Sequence, residues 1–465
     1  MFSLGRNPND DDPRRTRAEE EGDVKTRIGP AVVVALVAAT VLAMPAAKTP
    51  VRASTLSPQV ALDWNLNAVT AVRGATVPLP KFQAEGMIHM SYVQAAVYDA
   101  VTKIEGRYEP YHHFKVSHGI DVHHASPDAA VIQATYSTLA HYLSDQPATL
   151  LDPLKAKYDA AVAALPAAGK SDGLAVGLAA ANDIIKFRAH DGLADPSVTF
   201  TPGPPGPGVY QFAPAPSLQF AQTPWVASFT PFLLKSPSQF RPDGPPHLSS
   251  HRWAEAFNEV KAYGGATGSL RSPDQTATAW FWTANVVSQY NQAFRDLAVA
   301  HGFDLVDTVR ALAMANMMGA DALIGCFDGK YHFAFWRPVT AIRSADTDGN
   351  SETSSDPTWA PLLVTPNHPE YPSAHGSITG AEADVFAALL GTKHIEVNIV
   401  GFNPADGLTD LTRHFETTSD LRHEVVDART WGGLHYRFST VRGEDMGHRT
   451  AKWALERYFL PVDRD

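Results

Sequence analysis

The chain has 465 residues, of which 44% are hydrophobic and 19% are charged, and its formal net charge at pH 7 is −11. This composition is that of a globular protein with a sizeable core, and it excludes a disordered or polytopic membrane protein. The acidic balance argues against nucleic acid as a partner, because phosphate backbones are bound by clustered Lys and Arg side chains.

The first 54 residues are predicted to be a signal peptide or an N-terminal anchor. A basic stretch that includes Arg14, Arg15 and Arg27 leads into an apolar run from Ala31 to Met44, which is the order of features in such segments. We therefore expect the rest of the protein to be exported, either secreted or held at the membrane by this segment.

Apolar residues recur at intervals of three and four along much of the remaining chain, which predicts helices. The clearest segments are Met87 to Ile104, Gly173 to His190, Arg252 to Tyr263, Asp274 to Trp282, Val286 to His301 and Asp304 to Cys326. The expected class is all-α, built from packed helical bundles, with an N-terminal domain at residues 55–250 and a C-terminal catalytic domain at residues 251–465. The best strand pattern, Ile395 to Val400, is short.

Residues 196–246 separate the two halves and contain repeated prolines and glycines, including PGPPGPG at Pro202 to Gly208. Such a composition predicts irregular chain. Long irregular segments inside compact proteins are more often a wrap or an arm that covers a site than a free linker.

Three short motifs in the C-terminal third contain side chains suited to chemistry: Lys330 to Pro338 (KYHFAFWRP), Pro372 to His375 (PSAH) and Arg429 to His435 (RTWGGLH). Together they supply a lysine, two arginines, a serine and two histidines. Such a set can neutralise a tetrahedral oxyanion, hydrogen-bond it and transfer protons at it.

The PSAH motif is predicted to begin a helix, because a proline precedes it and an Ala-rich run follows until Gly391. The unpaired N–H groups and the dipole of a helix start favour an anion, so the Ser373 hydroxyl and the amides of Ser373 and Ala374 are candidate donors. His375 would lie in the same turn. The alternative is a capping histidine without a catalytic role.

Lys330 and Arg337 are seven residues apart, which places them on nearly the same face of a regular helix. The aromatic residues between them, followed by Pro338, favour an extended or bent segment as an alternative. Either arrangement brings both cations to one pocket, although an isolated Lys and Arg at this spacing are usually solvated. In the third motif, Gly432 and Gly433 permit close backbone approach just before His435.

In order and spacing, K-x6-RP, P-S-(G/A)-H and R-x5-H resemble the signature of the vanadium-dependent haloperoxidase and type 2 phosphatidic acid phosphatase superfamily. Three longer stretches look like its soluble bacterial haloperoxidase-like branch: Ser91 to Tyr111, Pro231 to Val260 and Phe333 to Arg343. The resemblance covers roughly Ser57 to Val462, and it implies that the active site lies in the C-terminal bundle.

The resemblance also implies a role for each motif residue. Lys330, Arg337 and Arg429 would neutralise the oxygens of the anion, and Ser373 with the Ala374 amide would hydrogen-bond it. His435 would be the ligand of vanadate, or the nucleophile that forms a phosphohistidine. His375 would be the acid–base partner in either reaction.

Two enzymatic functions follow, because phosphate and vanadate are both tetrahedral oxyanions. One is a haloperoxidase that oxidises halide with hydrogen peroxide at a vanadate cofactor, and the other is an acid phosphatase that hydrolyses phosphomonoesters. The resemblance outside the site favours the haloperoxidase, and so does the lack of multiple apolar spans. A binding module without turnover is disfavoured, because both histidines and all three cations are present.

The chain departs from the superfamily pattern at three positions. It has Ala374 in place of Gly, Ala428 in place of Ser, and Ser439 in place of the Asp that orients the second histidine. A hydroxyl, a backbone carbonyl or another carboxylate must therefore hold the His435 ring. Three acidic candidates to support the cations are Asp321, Asp328 and Asp427.

His368 precedes Ser373 by five residues. In the proteins that the chain resembles, a histidine at this place accompanies bromide oxidation, whereas chloroperoxidases have a phenylalanine there. The resemblance therefore implies a preference for bromide or iodide over chloride. The alternative is that His368 only caps the turn before Pro369.

Overall fold

The computed structural model describes residues 56–402 and 410–462. The predicted targeting segment, residues 1–54, lies outside the described residues. Among the described helices, none has the length and apolar character needed to cross a membrane. Val51–Asp465 forms one compact unit.

The described residues are mainly helical, which confirms the predicted class. The α-helices are α1 (Gln59–Gly74), α2 (Gln83–Glu105), α3 (Pro127–Tyr142), α4 (Ala148–Ala164), α5 (Lys170–Phe187), α6 (His251–Tyr263), α7 (Pro273–Phe281), α8 (Val286–Ala300), α9 (Leu305–Phe333), α10 (Pro338–Arg343), α11 (Ala374–Leu390), α12 (Thr418–Trp431) and α13 (Arg437–Leu455). Strands β1 (His394–Phe402) and β2 (Asp410–Thr417) form an antiparallel pair.

Helix α9 lies at the centre of the fold and packs against α2, α8, α11 and α13. It is the longest segment of strong apolar periodicity, and the methionines near its middle, Met314, Met317 and Met318, are fully buried. One hydrophobic core extends from Ala61 to Phe459 in the sequence and includes residues of both predicted regions. The boundary at residues 250–251 stays a prediction.

The predicted strand segment lies within β1, where Ile395, Val397 and Ile399 are buried and alternate with exposed residues. Its partner β2 was not predicted. Val397 lies opposite Phe415 on that strand. Cross-strand apolar pairs of this kind stabilise a two-stranded sheet that packs on helices.

The Pro-rich segment, residues 196–246, is irregular apart from one short 3₁₀ turn. It lies against the loops that carry the motifs. The Trp336 N–H donates to the Gly208 carbonyl at 3.1 Å, and the Gln222 N–H donates to the Asn367 carbonyl at 2.9 Å. These contacts favour the arm that covers a site over the free linker.

Candidate active site

The first motif spans the end of one helix and the start of the next. Lys330 lies in the last turn of α9, and Arg337 is the N-cap of α10. Between them Ala334 takes a left-handed backbone conformation with φ of 45°, which ends α9 and turns the chain. The two cations therefore reach one place through a bend, and the single-helix alternative is wrong.

Lys330 and Arg337 are fully buried and form hydrogen bonds with the loops that contain the other two motifs. The Lys330 Nζ donates to the carbonyls of Pro369 at 2.9 Å and Glu370 at 3.0 Å. Because an ammonium has three N–H donors, one remains for a ligand.

The Arg337 guanidinium contacts both loops that flank the site. It donates from Nε to the His368 carbonyl at 3.0 Å, from Nη1 to the Leu434 carbonyl at 2.9 Å and from Nη2 to the His368 Nδ1 at 3.0 Å. Its Nη1 also lies 3.3 Å from the Nε2 of His435. An arginine is always a donor, whereas the Pro369 carbonyl oxygen, 3.1 Å from the same His368 Nδ1, can only accept.

The second motif begins α11, as the sequence predicts. Ser373 is the N-cap, its hydroxyl accepts from the Gly376 N–H at 3.4 Å, and Gly391 ends the helix with φ of 68°. Ser373 is fully buried, whereas Ala374 and His375 line a cavity. The positive end of the helix dipole therefore faces that cavity.

The third motif lies at the end of α12. Arg429 occupies its last turn, and Gly433, with φ of 73°, turns the chain toward His435. A side chain at Gly433 would clash, because an added Cβ would lie 2.4 Å from the Gly264 carbonyl oxygen. Arg429 donates from Nη1 to the Trp282 carbonyl at 3.1 Å, while its Nε has no hydrogen-bond partner among the described residues.

Glu370 holds the His435 ring, and the sequence reasoning did not identify it. Its Oε1 lies 2.8 Å from the His435 Nδ1 and accepts from the Tyr436 N–H at 3.2 Å. Glu370 is fully buried in the loop before α11. The Ser439 Oγ lies 3.5 Å from the Glu370 carbonyl oxygen. A carboxylate thus occupies the role that the superfamily pattern gives to Asp, but it comes from a different loop.

The three acidic candidates from the sequence lie elsewhere, so that prediction is wrong. Asp321 accepts backbone N–H groups of residues 232–234 at 2.7 and 2.8 Å. Asp328 pairs with Arg241 at 2.6 Å, and Asp427 pairs with Arg437 at 2.7 Å. The one feature of the sequence that could have pointed to Glu370 is that it lies three residues before Ser373, in the second motif's own loop.

His375 directs one ring nitrogen into the site without a partner. Its Nε2 is buried and makes no hydrogen bond to the described residues. The ring is also hydrogen-bonded to the Trp282 carbonyl, and this bond must therefore use Nδ1. A histidine that is fixed through one nitrogen and open at the other has the arrangement of a general acid or base.

The cavity beside these residues has a volume of about 320 Å³. Five candidate residues line it: His368, Ala374, His375, Arg429 and His435. The other three candidates, Lys330, Arg337 and Ser373, are fully buried. Their hydrogen bonds and positions in the chain, described above, place them next to the residues that line the cavity. The structure thus brings every candidate site residue of the sequence into one cluster, and their catalytic roles stay predictions.

The cluster holds more positive than negative charge. Burial, together with the neighbouring Arg337 and Arg429 charges, lowers the pKa of Lys330 to about 7, and burial and Arg337 lower that of Arg429 to about 9. Burial raises the pKa of Glu370 to about 7. An oxyanion in the cavity would compensate these cations, since buried charges are costly unless they are paired.

Both histidines are neutral in this environment. Burial lowers the pKa of His435 well below its usual value, and the Arg337, Lys330 and Arg429 charges add to the effect. Burial and the Arg429 charge also lower the pKa of His375 well below its usual value. A neutral imidazole is the form that can bind a metal or accept a proton.

Comparison with known proteins agrees with this geometry. The family model of the VCPO second helical-bundle domain matches residues 310–463, which include all three motifs. A vanadium chloroperoxidase from Curvularia inaequalis is 25% identical over 299 residues, or 50% of this chain and 48% of that protein. The chain thus spans about half the length of that curated relative.

Solved structures share the fold. A bacterial vanadium-dependent iodoperoxidase superposes with a TM-score of 0.72 at 21% identity and covers 89% of this chain and 99% of its own. A bacterial vanadium-dependent chloroperoxidase in its holo form superposes with a TM-score of 0.60 at 19% identity and covers 83% and 92% of the two chains. These similarities agree with the resemblance that the three motifs indicate.

Proposed function

We propose, from the similarity of this chain to vanadium-dependent haloperoxidases, that it oxidises halide with hydrogen peroxide at a vanadate centre. The observation that carries the proposal is the set of buried donors around the cavity. Lys330, Arg337 and Arg429 are at most 3% exposed, and Glu370 is the carboxylate in contact with the cluster. The remaining positive charge fits a tetrahedral oxyanion.

The side chains present also fit the bond that vanadate needs. His435 is held at Nδ1 by Glu370, so its Nε2 is the nitrogen available for a ligand. The free Arg429 Nε and the third N–H of Lys330 are available as donors to the anion. Vanadate, when bound, supplies the Lewis acidity that activates hydrogen peroxide toward halide.

The protein groups supply orientation and proton transfer. His375, through its free Nε2, would accept a proton from incoming peroxide and later return one to the leaving oxygen. The amide of Ala374 and the hydroxyl of Ser373, at the positive end of α11, would hydrogen-bond the anion. Glu370 would keep the His435 Nε2 unprotonated, because the ring proton stays on Nδ1.

His368 supports a preference for bromide or iodide within this proposal. Its Nδ1 lies 3.0 Å from the Arg337 Nη2 and 3.1 Å from the Pro369 carbonyl oxygen, and the residue lines the cavity together with His375. A polar ring at this wall changes the local dielectric near the acid–base histidine. One similar structure is that of an iodoperoxidase and another that of a chloroperoxidase, so the halide must be tested directly.

The phosphatase alternative uses the same residues, with His435 as nucleophile and His375 as acid. A single experiment separates the two functions. The purified protein, with and without vanadate, is assayed for peroxide-dependent bromide and iodide oxidation and for hydrolysis of a phosphomonoester. The proposal predicts halide oxidation that depends on vanadate; ester hydrolysis without any halide oxidation would refute it.

We also infer export, because a basic stretch precedes an apolar run in residues 1–54. Fractionation of cells that express the full chain tests this inference. Recovery of the protein only from the cytoplasm would contradict it.

A further inference from the structure

The cavity is larger than an oxyanion, peroxide and halide require. Its volume of about 320 Å³ lies in the range of small-molecule pockets, roughly 300–1,000 Å³. Its lining includes the apolar side chains of Phe82, Leu323, Phe327 and Ile378. The space therefore fits a one-ring organic molecule next to the oxyanion site.

The lining of the cavity also includes two cations outside the three motifs. Arg73, in the last turn of α1, and Lys81 both line it. Lys81 pairs with Glu85 at 2.9 Å, but Arg73 has no ion-pair partner among the described residues. Arg73 is among the exposed residues, and the partial burial of its guanidinium lowers its pKa. Among the described residues that line the cavity, none is acidic.

We propose that this cavity binds the organic acceptor of the halogen, and that the acceptor is an electron-rich aromatic ring that carries a carboxylate. The inference rests on the proposed function. The carboxylate would pair with Arg73, and the ring would pack against Phe82 and Phe327 with its activated carbons toward His375. A cationic molecule would be repelled by Arg73 and by Arg429, which both line the cavity.

The transfer step balances with reagents that the proposed function supplies. Hydrogen peroxide oxidises halide by two electrons and takes up one proton, so that peroxide, halide and a proton give hypohalous acid and water. The ring carbon then attacks the halogen, the carbon–halogen bond forms, and the oxygen–halogen bond breaks. The hydrogen on that carbon leaves as a proton and joins the hydroxide to give water, so that arene and hypohalous acid yield haloarene and water.

The test compares 3-hydroxyphenylacetate with its uncharged methyl ester, with vanadate-loaded full-length protein, bromide and peroxide. We expect a lower KM for the acid than for the ester. We also expect a ratio of bromination isomers on the acid that differs from the ratio produced by added hypobromite, because a bound ring presents only some of its activated positions.

The variants Arg73→Gln and Arg73→Glu test the contact itself. The first should raise the KM for the acid by roughly three- to five-fold, the scale of a partly exposed ion pair, and the second by more. Neither should change the KM for the ester or the rate of bromide oxidation without an acceptor. Lys115→Gln is the matched control, since Lys115 is exposed and does not line the cavity.

Three results would overturn the inference: equal KM values for acid and ester, an isomer ratio equal to that of hypobromite, or equal effects of Arg73→Gln and Lys115→Gln. Bromide oxidation without an acceptor is measured in the same experiment. If it is present, these results overturn the acceptor site alone. If it is absent, the proposed function fails and the acceptor site fails with it.

Discussion

Replacing Glu370 with glutamine keeps the size of the side chain but removes the negative charge next to His435. In the wild type, the Glu370 Oε1 lies 2.8 Å from the His435 Nδ1, and the carboxylate keeps the ring proton on that nitrogen. The amide of glutamine can instead donate to Nδ1. The proton would then move to Nε2, the nitrogen that we assign to vanadate.

The expected loss follows from the kind of contact that is removed. A hydrogen bond to a charged group contributes about 1.5–3 kcal/mol, which corresponds to roughly a 10- to 150-fold change in an equilibrium constant. Partners that orient a metal-bound histidine usually affect affinity or activity by about 10- to 100-fold. We therefore expect Glu370→Gln to weaken vanadate binding by about 10- to 100-fold.

Tungstate is the comparison anion, because we expect the cations to hold it. A loss of vanadate affinity without a loss of tungstate affinity would mean that Glu370 acts by orienting His435. Removal of the Glu370 charge makes the pocket more positive, so tungstate affinity should stay within about three-fold or rise. Both affinities can be measured by calorimetric titration. Glu382→Gln is a matched control, because Glu382 is also fully buried, burial raises its pKa well above the usual value, and neither carboxylate oxygen has a partner.

The double variant Glu370→Ser with Ser439→Asp moves the carboxylate to the position that the superfamily pattern uses. It should recover vanadate affinity relative to Glu370→Ser alone. The reasoning would be refuted if folded Glu370→Gln bound vanadate like the wild type, or if it lost tungstate and vanadate affinity equally.

The other predictions use the same assays. His375→Ala should slow halide oxidation by roughly 10²- to 10⁴-fold while anion binding persists in titration; loss of binding instead would assign His375 to the anion. Arg429→Ala should weaken tungstate and phosphate alike, by about 1.5–3 kcal/mol in titration, and an effect on one anion alone would contradict the shared pocket. The pKa of Lys330 is about 7 without an anion, so Lys330 loses its charge as the pH rises through 7. Above that pH, Lys330 must take up a proton when the anion binds. Tungstate affinity should fall by up to about ten-fold per pH unit above neutrality, whereas titrations that give the same affinity on both sides of neutral pH would contradict this. His368→Phe should raise chloride oxidation relative to bromide in steady-state assays; an unchanged ratio would remove His368 from halide selection.

Local patterns predicted the helices and the helix start at the site. Apolar periodicity located α2 and α5 to within four residues and the start of α9 to within one, since tertiary packing buries the same faces that the period marks. Helix α9 continues to Phe333, seven residues past the predicted end at Cys326. Ser373 and Gly391 marked both ends of α11, because capping is a local interaction. Strand β2 was missed, since its pairing depends on a partner strand rather than on its own sequence.

The contacts of the site were harder to predict, because they join distant parts of the chain. The spacing of Lys330 and Arg337 did not show the bend at Ala334, which is a non-glycine residue with positive φ. Glu370 lies 65 residues before His435, and sequence alone could not choose it over the other acidic residues. Arg73 lies even farther along the sequence from the three motifs, and only the folded structure shows that it lines the cavity.

The central claim is tested most directly by peroxide-dependent oxidation of bromide and iodide, measured on wild type and His435→Ala with and without added vanadate. We predict that the wild type oxidises halide only when vanadate is bound, and that His435→Ala stays folded but has no activity above background. Halide oxidation by the wild type without vanadate, or retention of more than a few per cent of the activity in folded His435→Ala, would contradict the account.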